Sequence, residues 1–112
     1  MAYDEVLANR IREVIGARRD VRETKMFGGL GFLIGGHLAV AVMSAARGMM
    51  VRVDPADHDA LRARRGAGPF VMREREMPGW IIVETEVLRT TRDLTRWVRR
   101  GLAYAESLPP KG

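Results

Sequence analysis

Residues 25–36 read KMFGGLGFLIGG, five glycines in twelve residues, opening on a lysine. A stretch this rich in glycine constrains the chain in one of two ways. Either its backbone amides cradle a phosphate, or its glycines let neighbouring chain segments lie closer than side chains would allow. A Walker loop needs its lysine after the last glycine with Ser or Thr next, whereas Lys25 precedes Gly28. A dinucleotide fingerprint counted from Gly29 and Gly31 would need a third glycine where Ile34 stands. The glycines therefore read as parts of a strand.

Gly35-Gly36 separates that strand from HLAVAVM, and a glycine pair between β-type runs signals a hairpin because the favoured turns need positive φ. Opposing residues would then be Phe32 and Ala39, Leu30 and Ala41, Gly31 and Val40, Gly29 and Val42. Large side chains meet small ones, as cross-strand packing prefers. Alternation would put Leu30, Phe32 and Ile34 on one face and Phe27, Leu33, Val40 and Val42 on the other. A sheet in a two-layer domain usually keeps one wet face, so apolar groups on both call for cover. A terminal helix or a second copy would supply it, and a homodimer is expected on that ground.

The rest of the chain supplies helices and further strands. Val6, Leu7, Ile11, Val14 and Ile15 recur at helical spacing, predicting a helix over 3–17. MMVRV predicts a third strand, and DPADHDALRARRG a short helix capped by Asp54 with Pro55 in its first position. AGPFVMR and MPGWIIVE predict a fourth and a fifth strand. In the last helix Leu94, Trp97, Val98, Gly101, Leu102 and Ala105 share one face, and Thr90 can cap it. The order α-β-β-β-α-β-β-α predicts an α+β fold, two layers with a mainly antiparallel five-stranded sheet. A chain of 112 residues has room for one core. We expect a single domain over 1–108 and a disordered tail over 109–112.

Composition excludes more than it assigns. No apolar run approaches the ~20 residues of a membrane span. MAYDEVLANR carries acids where a signal peptide carries basic residues. Without cysteine there is no disulfide framework or thiolate metal site, and the economical expectation is a cytoplasmic protein with no membrane partner. Net charge is +5, and arginine makes up all of the basic residues except Lys25 and Lys111. Arginine suits bidentate contacts to phosphate and carboxylate, although a GC-rich genome produces the same bias.

Catalysis has little to stand on. Asp54, Asp57, His58 and Asp59 crowd one stretch in the manner of metal ligands, but Asp54 and Asp57 are explained as helix-start acids. Glu74 and Glu76 could pair as acid and base, yet they interleave with Arg73 and Arg75 as a solvated turn would. Ser44 and Ser107 lack the sequence around a nucleophile. We therefore expect no catalytic, cofactor or metal residue. The seven methionines, Met43, Met49 and Met50 among them, read as gap-filling core. The strongest binding candidate is the arginine face of the last helix: Arg89, Arg92, Arg96, Arg99 and Arg100 span only about a hundred degrees of its wheel. A solvated face is the plain alternative. An acidic protein surface or nucleic-acid phosphates are the functional ones.

Several motifs together resemble one family. KMFGGLGFLIGG, MVRVD at 50–54, GAGPF at 66–70, MPGW at 77–80 and the Trp97 helix ending in LAYA look like the N-terminal domain of the TfoX/Sxy family of bacterial competence regulators. The motif positions are Met26, Phe27, Gly28, Gly29, Gly35, Gly36, Pro69, Phe70, Trp80 and Trp97. The resemblance implies a two-layer domain similar to secretion chaperones and a non-enzymatic role in regulating transcription, best established for DNA-uptake genes. Competence regulators carry a second, C-terminal helical domain, which is expected to be absent here. A stand-alone domain acting as an adaptor for a protein partner is the expectation, with charge-driven nucleic-acid binding as the alternative.

Overall fold

An aspartate starts the first element and a glycine stops it. The Asp4 carboxylate accepts the Leu7 amide at 3.1 Å and caps α1 (Glu5–Ile15), which ends at Gly16 with φ +66°. The computed structural model describes residues 3–26, 28–43 and 48–111. Phe27 and residues 44–47, Ser44 included, lie outside the described residues. The chain continues through β1 (Val21–Met26), β2 (Gly29–Ile34), β3 (His37–Val42) and β4 (Met49–Arg52). A 3-10 turn (Pro55–Asp57) leads into α2 (His58–Arg62), then β5 (Ala67–Met72) and β6 (Arg75–Val83). A second 3-10 turn (Thr85–Arg89) precedes α3 (Thr91–Ser107).

These strands form one antiparallel sheet in the order β1-β2-β3-β4-β6-β5. Among the described residues the sheet has six strands, not the expected five. The additional strand is β1, VRETKM, whose side chains are mostly exposed. Lys25 and Met26 close this strand instead of opening the next, and Gly28, at φ +77°, lies in the turn between them. An edge strand studded with charges resists pairing with another chain, and the same charges hide its strand character from a hydrophobic pattern.

The glycine turn forms as expected, with Gly35 at φ +58° and Gly36 at +82°. Register departs from expectation beyond it. Ile34 pairs with His37 and Leu33 with Leu38, but a bulge then sets Phe32 against Val40, Gly31 against Ala41 and Leu30 against Val42. The extra residue is Ala39. One inserted residue moves every side chain past it to the other face. Val40 and Val42 therefore join Leu30 and Phe32 in the core, correcting the expected face assignment.

All three helices cover this face. Every residue predicted for the apolar stripe of α3 is buried, and the helix lies across β2, β3 and β4. A Cβ at Gly101 would run into the Ala39 carbonyl and stand 2.8 Å from Val40 Cγ1. A Cβ at Gly29 would run into the Val42 carbonyl. α2 packs on β5 and β6, and α1 on α3. At the sheet edge the Arg12 guanidinium holds both Glu23 carboxylate oxygens at 2.7 Å. Pro109–Lys111, expected as tail, lie on the glycine turn: the Lys111 amide donates to Gly35 O at 2.8 Å, and His37 Nε2 to Pro109 O at 2.7 Å.

Gly101 gives a test whose sign is diagnostic. In an open helix Gly→Ala gains up to about 1 kcal/mol. Here Gly101→Ala should lose about 1–3 kcal/mol in urea unfolding, because α3 must lift from β3. Glu23 gives a second test. The hydrogen bond from Arg12 holds its carboxyl below the usual range, so the pair stabilises above the unfolded pKa and is lost as pH falls through the folded one. NMR titration should find Glu23 shifted down and Arg12→Ala returning it upward, with under about 1 kcal/mol of stability involved since the pair is exposed.

Candidate functional site

Among the described residues, a trough in the sheet face turned away from the helices is lined by apolar side chains and glycine. Its floor is made of Gly29, Ala41 and the adjoining backbone of Val42. Met26 and Leu38 close over Gly31 along one side, where a Cβ on that glycine would stand 2.8 Å from Leu38 Cδ1 and 3.1 Å from Met26 Sδ. Met43, Met50, Phe70, Met77 and Trp80 form the opposite side, and Met72 the lip. The trough measures about 550 Å³. Five of the seven methionines in the chain line it. The expectation of a methionine-filled core is therefore corrected: Met49 is fully buried, whereas Met72 is 48% exposed. Thioether side chains are unbranched and polarisable, which suits a surface that reshapes around what it binds.

The wall containing Trp80 is held by a histidine. In β6, Gly79 adopts φ +88° beside Val53 O and Pro55, and the register against β5 slips between Pro69 and Val71. The Gly79 amide donates to His58 Nδ1 at 3.0 Å, so Nε2 carries the proton and donates to Glu76 Oε2 at 3.0 Å. Arg62 reaches the other Glu76 oxygen at 3.0 Å. Glu76 is exposed, as expected, but it belongs to β6 and bonds to the buried His58 instead of lying in the turn. That turn is Arg73-Glu74, both with positive φ.

Among the described residues His58, Asp59 and Glu76 are the one group near enough to share a cation, with ligand atoms within 4.8 Å. Both nitrogens of His58 are already engaged, which leaves no lone pair for a metal. Asp54 accepts the Ala56 amide at 2.9 Å, as a helix-start acid does. The pairing of His58 with Glu76 was missed from sequence because nothing in the spacing of the two residues marks it.

Arg89, expected on the arginine face of the last helix, lies outside it in the 3-10 turn before α3, near Arg65 and Glu86. On α3 itself Arg92 and Arg96 are exposed and Arg99 borders α1 beside Arg10. Arg100 lies 4.7 Å from the Trp97 ring centroid. Burial, and after it repulsion from Arg64 and Arg96, lowers its pKa. None of these five forms an ion pair with another described residue.

Of the motif positions, Met26, Gly29, Phe70 and Trp80 line the trough, Gly35 and Gly36 make the hairpin turn, and Trp97 is in the core. Pro69 lies in β5 at its register slip, and Gly28 in the turn after β1. A helix-backed six-stranded antiparallel sheet defines a small mixed α/β domain. The chain belongs to the TfoX N-terminal domain family, whose sequence model matches residues 13–105. No curated protein and no solved structure matches it.

The His58 bonds make a testable distinction between structure and metal binding. His58→Ala should cost about 2–4 kcal/mol in chemical denaturation, since it orphans the Gly79 amide and empties a buried site. Asp59→Ala should stay within about 0.5 kcal/mol, and added zinc should leave the melting temperature of the parent unchanged.

Proposed function

We propose that this chain is a non-enzymatic regulatory adaptor that acts by binding a protein partner, in the setting of transcription control that the family implies. The observation that carries the reading is the open apolar trough. At about 550 Å³, and lined by apolar and aromatic side chains, the trough has the size and lining typical of a binding cleft. The family supports a regulatory role, and the candidate chemistry around His58 is consumed by structural hydrogen bonds.

Nucleic-acid binding is the second reading, supported by the unpaired Arg92, Arg96 and Arg99 on α3. Phosphate contacts are spread by charge and fade steeply with salt. Duplex DNA and single-stranded RNA, titrated at about 50 and about 200 mM salt, should show no salt-sensitive complex. A complex that weakens steeply between the two concentrations, and that Arg92→Glu with Arg96→Glu abolishes while the fold is kept, would replace the adaptor reading.

A further inference from the structure

We infer that the trough receives an amphipathic helix of a partner protein, apolar along one side and acidic at both ends. The inference rests on the adaptor reading and adds the shape and charge of what is bound.

Charge comes first. Register places the ionisable residues of this face. Arg22 is paired with Leu33, Arg52 with Trp80 and Arg75 with Met72, so each arginine shares the face of a trough residue or of Leu33 beside it. Glu23 and Glu76, the acids of these strands, point the other way, to Arg12 on α1 and His58 on α2. Arg52 lies between the rings of Trp80 and of Tyr104 on α3, 4.9 and 5.6 Å from their centroids, so its guanidinium is shared with the helical side, and none of the three forms an ion pair among the described residues. The apolar floor is therefore bordered by cations at the β1 side, beside Trp80, and on the β5–β6 arm. An apolar segment with carboxylates beyond its ends complements that pattern.

Shape selects a helix. The floor is glycine and alanine and the sides are long, so the surface is concave and needs a ridge. A helix about 10 Å across presents one, with anchors at i, i+3, i+4 and i+7. A second copy would present its own trough. In a twofold contact centred on the trough, hollow would meet hollow, and both copies would bring the same arginine border to the contact. Addition of a strand would use the backbone edges of β1 or β5 and leave the trough open. About 18 helical residues span about 27 Å, the scale of the domain, whose extents are 33 × 31 × 27 Å.

Methionine methyl groups provide the readout. With ¹³C-methyl methionine in the full chain, Met26, Met43, Met50, Met72 and Met77 report on the trough and Met49 on the core. The probes are a small set of designed peptides of about 18 residues, Leu and Phe on one side in the anchor spacings above, glutamates at both ends. Controls of the same composition have scrambled order, or lysines in place of the glutamates. We expect the acidic peptides to shift the trough methyls and leave Met49 in place, with at least tenfold weaker binding for both controls. Arg22→Glu with Arg75→Glu should reverse the preference towards the lysine peptides. Leu38→Asp should abolish binding, its fold checked by the unchanged Met49 signal.

Trough methyls that ignore every acidic peptide at millimolar concentration would overturn the inference. So would equal shifts with the lysine peptides. Trough shifts that grow with protein concentration alone would overturn it in favour of a second copy. In each case the adaptor reading survives as long as salt-sensitive DNA or RNA binding is absent, so the two failures are told apart.

Discussion

Backbone approaches backbone here more closely than side chains permit, and the rest of the architecture follows from that. Gly101 lets α3 rest directly on β3 at Ala39, and Gly29 lets β2 press against β3 at Val42. Dispersion contacts fall off within an ångström of their optimum, so this closeness decides whether Phe32, Val40, Leu94 and Val98 make a core or a loose interface. The glycines thus act on the helical side by closing a gap. On the other side of the same sheet Gly29 and the small Ala41 lie in the floor of the trough, while Leu38 and Met26 fill the space over Gly31.

The two faces are coupled through β6. His58 on α2 fixes the Gly79 amide and the Glu76 carboxylate, and those contacts set the irregular path that presents Met77 and Trp80 to the trough. A buried imidazole with both nitrogens bonded is expensive to disturb, since the Gly79 amide would lose a hydrogen bond out of reach of water. A cluster that resembles a metal site by composition therefore serves as a brace for the wall of the trough. The arginines divide in a similar way. Arg12, Arg18 and Arg62 hold structure through carboxylates, while Arg22, Arg52 and Arg75 border the open face without an acidic partner among the described residues.

Much of the fold was legible because it rests on local rules. The stripe of α3, the caps at Asp4, Asp54 and Thr90, and the Gly35-Gly36 turn are all written in short-range spacing. The edge strand β1 escaped notice because its outward charges erase the alternation that identifies buried strands. The candidate site was less legible. Its methionines come from five separate places in the chain and read as ordinary core. The His58–Glu76 bond joins residues that no motif links.

The amino-acid order alone determined the helices, the turns, the family and the use of glycine for packing in place of phosphate binding, since each depends on residues a few positions apart. Tertiary structure decided which face is open. A single bulged residue at Ala39 carries Val40 and Val42 to the helical side and leaves Ala41 and Met43 on the other. Strand side chains alternate with a period of two, so one inserted residue exchanges the faces, and a bulge set by long-range packing leaves no local mark in the sequence.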